Sequence, residues 1–113
     1  MARLDLTRHI ERLEAFEDRA GVRLESLSAY VDLDSESPHI LRVYGELHAK
    51  DGTELPCDVT LVIAAYDDQG RVVGSTTNWY DKKDFFGLDV FEILFLVENE
   101  SIRKVRIFPK RRD

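Results

Sequence analysis

The most informative segment of the chain is Val59-Thr-Leu-Val-Ile-Ala-Ala-Tyr-Asp-Asp-Gln-Gly-Arg-Val-Val-Gly-Ser-Thr-Thr-Asn-Trp79. Its first part is largely apolar on both faces of a period-two pattern, which predicts a central β-strand over Cys57–Tyr66. Asp67-Asp-Gln-Gly70 has the composition of a hairpin turn, and Arg71–Trp79 returns as a strand enriched in β-branched residues. We therefore predict an antiparallel hairpin at the centre of a β-sheet protein.

Further strands are predicted on both sides of this hairpin, because apolar and polar residues alternate there too. These strands cover Val22–Leu33, Ile40–Ala49, Leu88–Val97 and Ile102–Phe108. Between Leu24 and Leu27 the alternation slips by one residue, which indicates a β-bulge. Lys50-Asp-Gly-Thr53 is typical of a tight connection, and Pro109 is predicted to end the last strand.

The N-terminal segment Asp5–Ala20 has a different period. Its apolar residues Leu6, Ile10, Leu13 and Phe16 follow each other at spacings of four, three and three. This spacing predicts an amphipathic helix of about four turns, capped by Asp5 or Thr7 and ended by Gly21.

One helix followed by about six or seven strands predicts a single domain, mainly β, with the architecture of an immunoglobulin-like antiparallel β-sandwich. The expected boundaries are 5–20 for the helix, 22–108 for the sandwich and 109–113 for a basic tail.

Length and composition exclude several classes of protein. The 113 residues fit one domain, and the apolar stretches are far shorter than the roughly 20 residues that span a bilayer. Asp5, Arg8 and Glu11 interrupt the place where a signal peptide needs an apolar run. The single cysteine, Cys57, cannot form an internal disulfide. We therefore expect a cytoplasmic protein.

Charge is distributed unevenly along the chain. The net charge is −6, but residues 101–113 hold six basic residues and one acidic residue, a net charge of +5, while residues 1–100 carry −11. A basic segment of this kind can contact nucleic acid, acidic lipid or the acidic body itself. Aromatic residues are not interleaved with the basic ones, so we expect cross-strand pairs within the protein and neither a nucleic-acid nor a membrane partner.

The central hairpin resembles that of bacterial immunoglobulin-like sandwich domains of the FxLYD type. The matching residues are Tyr66, Asp67, Gly70, Arg71, Val72, Val73 and Gly74. The strand Ile40–Leu47 with Gly45 resembles another strand of that family, and Phe91–Val97 with Val105-Arg-Ile107 resembles its closing pair. Coverage is roughly residues 38–108, and Ile63 and Ala65 stand where the family has Phe and Leu. The resemblance implies a sandwich fold and an interaction or spacer module without catalytic residues.

Catalytic and metal-binding patterns are weak. His9, His39, His48 and Cys57 show no metal-ligand spacing, and no base adjoins Cys57 in sequence. We expect neither an enzyme nor a cofactor. The alternative is a calcium or small-ligand-binding domain, because turn acids gathered at one end of a sandwich supply the oxygen ligands that calcium prefers; the candidates are Asp32, Asp34, Glu36, Asp67 and Asp68.

The best candidate for function is the aromatic loop that contains Trp79, Tyr80, Lys82, Lys83, Phe85 and Phe86. Aromatic residues beside a charged loop are typical of protein interfaces, but the sandwich core is the more frequent place for them, with Trp79 inside and Phe85 or Phe86 closing the end. An exposed edge strand and the apolar stripe of the helix are further candidates for contact. The predicted function is a noncatalytic module that binds another protein or itself, which includes a homodimer.

Overall fold

A computed structural model describes residues 3–33, 38–98 and 101–112. They form eight strands and one α-helix, so the fold is mainly β, as predicted. The strands are β1 (Arg3–Asp5), β2 (Ile10–Arg12), β3 (Val22–Asp32), β4 (His39–Ala49), β5 (Val59–Asp67), β6 (Val72–Tyr80), β7 (Leu88–Val97) and β8 (Ile102–Arg111). The helix is α1 (Glu14–Ala20), and short 3-10 turns occupy Thr7–His9 and Lys82–Asp84.

The strands are arranged in two four-stranded sheets. Sheet A has the order β1-β3-β4-β7, and sheet B has the order β2-β8-β5-β6. Neighbouring strands are antiparallel except β2 and β8, which are parallel. β5 lies between β6 and β8, so its predicted central position is confirmed. β7 and β6 are edge strands of their sheets.

The core consists of aliphatic side chains from the inner positions of the long strands. Those with no exposed surface include Leu24, Ala29, Val31, Leu41, Val43, Leu47, Val59, Leu61, Ile63, Val105 and Ile107. In β5 these side chains come from every second residue, because successive side chains of a strand point to opposite faces. The outward residues of the same strand, Thr60, Val62 and Tyr66, are partly exposed.

The N-terminal helix is shorter than predicted. The prediction of a helix over Asp5–Ala20 is wrong for its first half, because β1, the turn Thr7–His9 and β2 occupy residues 3–12. Leu6 donates its N–H to Ala29 O (2.8 Å), and Asp5 accepts a bond from Thr7 N–H (2.9 Å). The segment crosses from the edge of sheet A to the edge of sheet B. Along this crossing the apolar residues follow each other at a spacing that resembles that of an amphipathic helix.

The second half of that segment is helical, as predicted. Gly21 ends α1 with φ of 73° and donates its N–H to Asp18 O and Glu17 O, which confirms the predicted C-terminal glycine. Phe16 leaves the expected stripe: it is 41% exposed and packs edge-on against Phe108, with 5.2 Å between ring centroids. Among the described residues, no helix has the length and apolar character needed to cross a membrane.

A buried carboxylate joins the helix to both sheets. Glu17 is 3% exposed, and its carboxylate accepts bonds from Arg12 Nε (3.0 Å) and Nη2 (2.6 Å) on β2 and from the backbone N–H of Leu24 (3.1 Å) on β3. The Glu17 carboxylate raises the pKa of the Arg12 guanidinium, mainly through this hydrogen bonding. Sequence periodicity gave no sign of this contact.

Two predicted connections differ from the structure. Lys50–Thr53 was expected to be a tight connection, but β4 and β5 belong to different sheets, so residues 50–58 cross between them. Pro109 does not end pairing, since β8 continues to Arg111 with Pro109 opposite Leu61. β2 pairs with β8 only as far as Ile107, so on that side no strand requires an N–H from Pro109. The expected basic tail 109–113 is therefore partly strand.

The predicted bulge in β3 is confirmed. The register of β3 against β4 shifts between Glu25 and Ser28, and Ser26 has φ of 56°. Leu27 points inward beside Gly45 of β4; a Cβ atom at Gly45 would lie 2.6 Å from Leu27 Cδ2 and 2.7 Å from Phe91 Cζ. Glycine at this position thus lets Leu27 and Phe91 pack over the backbone of β4.

Candidate functional site

The structure divides the predicted aromatic loop into buried and exposed members. Trp79 is 67% exposed and Phe86 is 80% exposed, so the placement of Trp79 in the core is wrong. Tyr80 is buried, and Phe85 is half-buried against it with ring centroids 6.2 Å apart, so Phe85 closes the end of the core as the alternative prediction had it. Lys82 and Lys83 are exposed.

Hydrogen bonds hold this loop in one conformation. Lys82 donates its N–H to Asp58 Oδ1 (2.9 Å), and Asp84 donates to Asp81 O (3.1 Å) to form the 3-10 turn. Gly87 donates its N–H to Thr53 O (2.8 Å), which fixes the entry into β7. The exposure of Phe86 is therefore a property of an anchored loop.

Tyr80 belongs to the packing of the sandwich end. Its hydroxyl accepts a bond from Asn78 Nδ2 (3.0 Å). Burial, with the nearby Asp89 carboxylate, raises the pKa of the Tyr80 phenol well above its usual range. A neutral buried phenol of this kind stabilises local packing and is poorly suited to act as a base near neutral pH.

The largest exposed apolar feature is the outer face of β7. Leu88, Val90, Leu94 and Leu96 are between 45% and 70% exposed, and Phe86 extends the same row at its start. A shallow depression lined by Trp79, Phe86 and Leu88 connects the loop to β7. The structure thus brings two predicted candidates, the aromatic loop and a sheet edge, into one continuous surface. We call Phe86, Leu88, Val90, Leu94 and Leu96 the β7 row.

Sequence reasoning did not identify the β7 row. Leu88–Val97 is apolar on both faces, which is the pattern of a central strand, whereas β7 lies at the edge of sheet A. The side chains of Phe91 and Val97 point inward and pack in the core. The outward aliphatic side chains of β7 therefore do not belong to the core of this domain. An edge strand with that many outward aliphatic residues is a feature of interaction surfaces.

Charged residues of sheet A flank the β7 row. Glu92 lies at its centre, and Arg42 on the neighbouring β4 approaches the Glu92 carboxylate with Nη1 at 3.8 Å. Arg42 also donates Nε to Asp32 (2.8 Å). This bond holds the pKa of the Asp32 carboxyl below its usual value and raises that of Arg42.

The residues proposed for calcium do not gather in the described structure. Asp32 is bound to Arg42, and Asp67 is buried in the hairpin, where it accepts N–H bonds from Gln69 (2.9 Å) and Arg71 (3.0 Å). Asp68 is exposed, while Asp34 and Glu36 lie outside the described residues. Within residues 3–33, 38–98 and 101–112, no group of three His, Cys, Asp or Glu side chains is placed to hold a metal ion.

The histidines and the cysteine are dispersed. His9 is exposed beside β2, His39 is buried at the start of β4, and His48 lies near Glu46 with Nε2 2.9 Å from Oε1. Cys57 is a buried free thiol before β5. Among the described residues, these four side chains therefore do not form a group that could hold a metal ion. Comparison of the chain with protein-family profiles, with curated proteins and with solved structures finds no match.

Proposed function

We propose that this chain is a noncatalytic cytoplasmic β-sandwich module for protein interaction, and that its partner is a second copy of itself. The observation that carries the proposal is the β7 row, an exposed aliphatic surface on the edge strand of sheet A. Edge strands with unpaired backbone groups are the usual place where a second chain adds to a sheet. The cytoplasmic assignment is supported by Cys57, which is buried as a free thiol.

The pattern of side chains along β7 is self-complementary. Its outward positions are Leu88, Val90, Glu92, Leu94 and Leu96, which have the same character when they are read in either direction. In an antiparallel pair related by a two-fold axis at Glu92, aliphatic residues of one copy therefore face aliphatic residues of the other at four positions. The two Glu92 carboxylates meet at the axis, each with an Arg42 guanidinium beside it.

The backbone of β7 is oriented for this pairing. Ala49 N–H donates to Gly87 O (2.9 Å), so odd-numbered positions direct their backbone groups toward β4. The alternate residues Val90, Glu92 and Leu94 direct theirs to the free edge. At the C-terminal end of β7 the edge is covered by β6, because Glu98 donates its N–H to Val73 O (3.1 Å). The free part of the edge thus coincides with the centre of the self-complementary pattern.

The buried area is sufficient for a dimer of moderate affinity. Complete burial of a Val or Leu side chain contributes about 1.5–3 kcal/mol, and the four aliphatic residues of β7 are each roughly half exposed. Two copies together would gain at most about 6–12 kcal/mol, the value for complete burial of that exposed surface, to which edge hydrogen bonds add. Association costs about 4–15 kcal/mol, so we expect a concentration-dependent dimer rather than an obligate one.

We also propose the immunoglobulin-like assignment for the architecture. It is supported by two packed sheets in which every pair of neighbours except β2 and β8 is antiparallel, and by the N-terminal segment, which leaves sheet A at β1 and joins sheet B at β2. The strand order differs from that of constant-type immunoglobulin domains. Those domains place their second and third strands in opposite sheets, whereas β3 and β4 are antiparallel neighbours within sheet A.

The test is the solution mass by light scattering over a concentration series. Two exposed valines on the two edge strands offer matched variants: Val90, 70% exposed on β7, and Val72, 58% exposed on β6. We expect the native chain to approach the dimer mass, Val90→Glu to stay monomeric and Val72→Glu to behave like the native chain. Circular dichroism verifies that both variants are folded.

Two results would contradict the proposal. A native chain that remains monomeric up to about millimolar concentration would exclude self-association of any relevant strength. Equal dimerisation of the Val90→Glu and Val72→Glu variants would place the interface elsewhere.

A further inference from the structure

The outer face of sheet B has small side chains on β5 and β6 between two rows that contain aromatic and basic residues, and we call this strip the trough. At one end Thr60 lies between Trp79 of β6 and Lys110 of β8, and at the other end Tyr66 lies next to Lys104. Between these rows β5 and β6 present Val62, Ala64, Ser75 and Thr77, while β8 presents Phe108 beside Val62, with Phe16 packed against its ring. Since strand residues advance by about 3.3 Å, the two end rows are about 20 Å apart.

Cations line one side of this trough. β8 directs Lys104, Arg106 and Lys110 outward, and Arg112 follows beyond the strand. Glu11 is the one carboxylate at an outward position among the described residues of the four strands, and it contacts Arg106, with 2.5 Å between Nε and Oε1. Arg112 in turn lies 3.7 Å from the Asp81 carboxylate, so Lys104 and Lys110 give the trough its net positive charge although the whole chain carries −6.

Aromatic rings lie among these cations. The Arg112 guanidinium is 4.7 Å from the centroid of the Trp79 ring, and Lys104 Nζ is 4.9 Å from that of Tyr66. The expectation of no nucleic-acid partner depended on the linear order of residues 101–113, in which aromatic and basic residues are not interleaved. In the fold, rings from β5 and β6 supply the interleaving that β8 lacks.

We propose that this trough binds single-stranded nucleic acid, about three to four nucleotides at a time. The phosphates contact Lys104 and Arg106, which are two residues or about 7 Å apart on β8, and Lys110, which lies beyond Phe108. Bases stack on the exposed ring of Trp79 at one end, while at the other end Lys104 and Arg106, which both pack on the Tyr66 ring, contact phosphate. Sequence readout is not expected, because stacking and phosphate contacts accept any base.

Other polyanions fit the trough less well. An acidic peptide or an anionic membrane would use the cations of β8 but would leave the exposed face of Trp79 without a partner. A duplex keeps its bases stacked internally and cannot offer them to the rings. The outer face of sheet A carries Glu25, Asp32, Glu46 and Glu92 with Arg3, Arg23 and Arg42 among them, so its net charge is slightly negative and a nucleic acid favours sheet B. This inference does not depend on the proposed dimer, which uses β7.

The experiment is a titration of a fluorescein-labelled oligothymidylate of about 12 nucleotides, followed by anisotropy at ionic strengths from about 20 to 200 mM. Trp79 is the one tryptophan of the chain, so its intrinsic fluorescence reports on stacking independently. We expect the anisotropy to rise and the tryptophan fluorescence to be quenched. The logarithm of the association constant should fall with that of salt concentration with a slope of about −2, as expected for three phosphates.

Variants separate the contributions of charge and stacking. Lys110→Glu should weaken binding about five-fold or more, whereas Arg23→Glu, an equal change of charge at an exposed position of β3, should leave it unchanged. Trp79→Ala should weaken binding about ten-fold with unchanged thermal unfolding, because the indole is largely exposed.

Each of the opposite results would overturn the proposal. These are no binding at low salt, a duplex of equal length bound as tightly, and equal effects of Lys110→Glu and Arg23→Glu. Displacement of the oligonucleotide by polyglutamate or by phosphatidylserine vesicles, without any quenching of Trp79 by the oligonucleotide, would assign the trough to acidic peptides or membranes instead.

Discussion

Replacement of Glu17 by alanine tests the buried contact that joins α1 to both sheets. Its carboxylate accepts bonds from Arg12 on β2 and from Leu24 N–H on β3, and Glu17 is 3% exposed. The substitution removes the acceptor of all these bonds at once and leaves two donor groups with different access to water. The Leu24 N–H is buried, whereas the Arg12 side chain is 39% exposed.

The expected loss of stability follows from that difference. A buried N–H without an acceptor costs about 1–3 kcal/mol. The Arg12 guanidinium can turn toward water, so its charge is not stranded, and the total should be about 2–4 kcal/mol, less than a fully buried pair would lose. Glu17→Gln retains an acceptor oxygen and should cost about 1–2 kcal/mol. Asp18→Ala, at the next position, removes an exposed ion pair with Lys50 and should cost less than about 1 kcal/mol.

The assay is urea unfolding at neutral pH, monitored by circular dichroism, with the three variants and the native chain at one protein concentration. The order of free energies of unfolding should be native, Asp18→Ala, Glu17→Gln and Glu17→Ala, from most to least stable. A Glu17→Ala variant as stable as Asp18→Ala would refute the argument that this carboxylate holds the helix to the sheets.

Two other predictions concern the loop and the hairpin. Phe85→Ala should lower the free energy of unfolding by about 1–3 kcal/mol, because the half-buried ring closes the core. Phe86→Ala should change the free energy of unfolding by less than about 0.5 kcal/mol, because its ring is exposed. Equal losses in urea unfolding would contradict the assigned positions. N–H bonds from Arg71 and Gln69 lower the pKa of Asp67, so its contribution to stability is complete above the unfolded-state pKa of about 3.9 and is lost as the pH falls through the folded-state pKa. Asp67→Asn should therefore unfold with a shallower pH dependence in acid, and an unchanged slope would contradict this role.

Local pattern was sufficient to predict the long strands. The short apolar runs of Val59–Tyr66 and Leu88–Val97, and the turn Asp67–Gly70, specify strands and one hairpin because both signals depend on near neighbours in the chain. Even the slip between Leu24 and Leu27 was readable, since a bulge moves side chains to the other face.

The N-terminal segment was not predictable in the same way. Leu6 and Ile10 have helical spacing, yet their backbones belong to the edges of two different sheets, as the Leu6 N–H bond to Ala29 O illustrates. The competing partners are far away in sequence, so periodicity within the segment contains no information about them. Tertiary contacts here override a local preference.

The candidate site was predicted in part for a related reason. Composition pointed to the aromatic loop but favoured the core for Trp79, which reaches the surface together with Phe86, while Phe85 is half-buried at the end of the core. The β7 row was missed because an apolar strand at a sheet edge and one at a sheet centre have the same sequence. Which strand becomes an edge depends on the pairing of all the others.

The position of β8 in sheet B affects how the chain folds during synthesis. β8 covers one side of β5, with Val105 and Ile107 beside Ala65 and Ile63, and it also pairs with β2 near the N-terminus. It is translated after every other strand, so a nascent chain that has reached only β7 carries an uncovered β5 edge and an open core. Sheet B can close only after residue 111 has left the ribosome, and until then the aliphatic residues of β5 are open to wrong pairing.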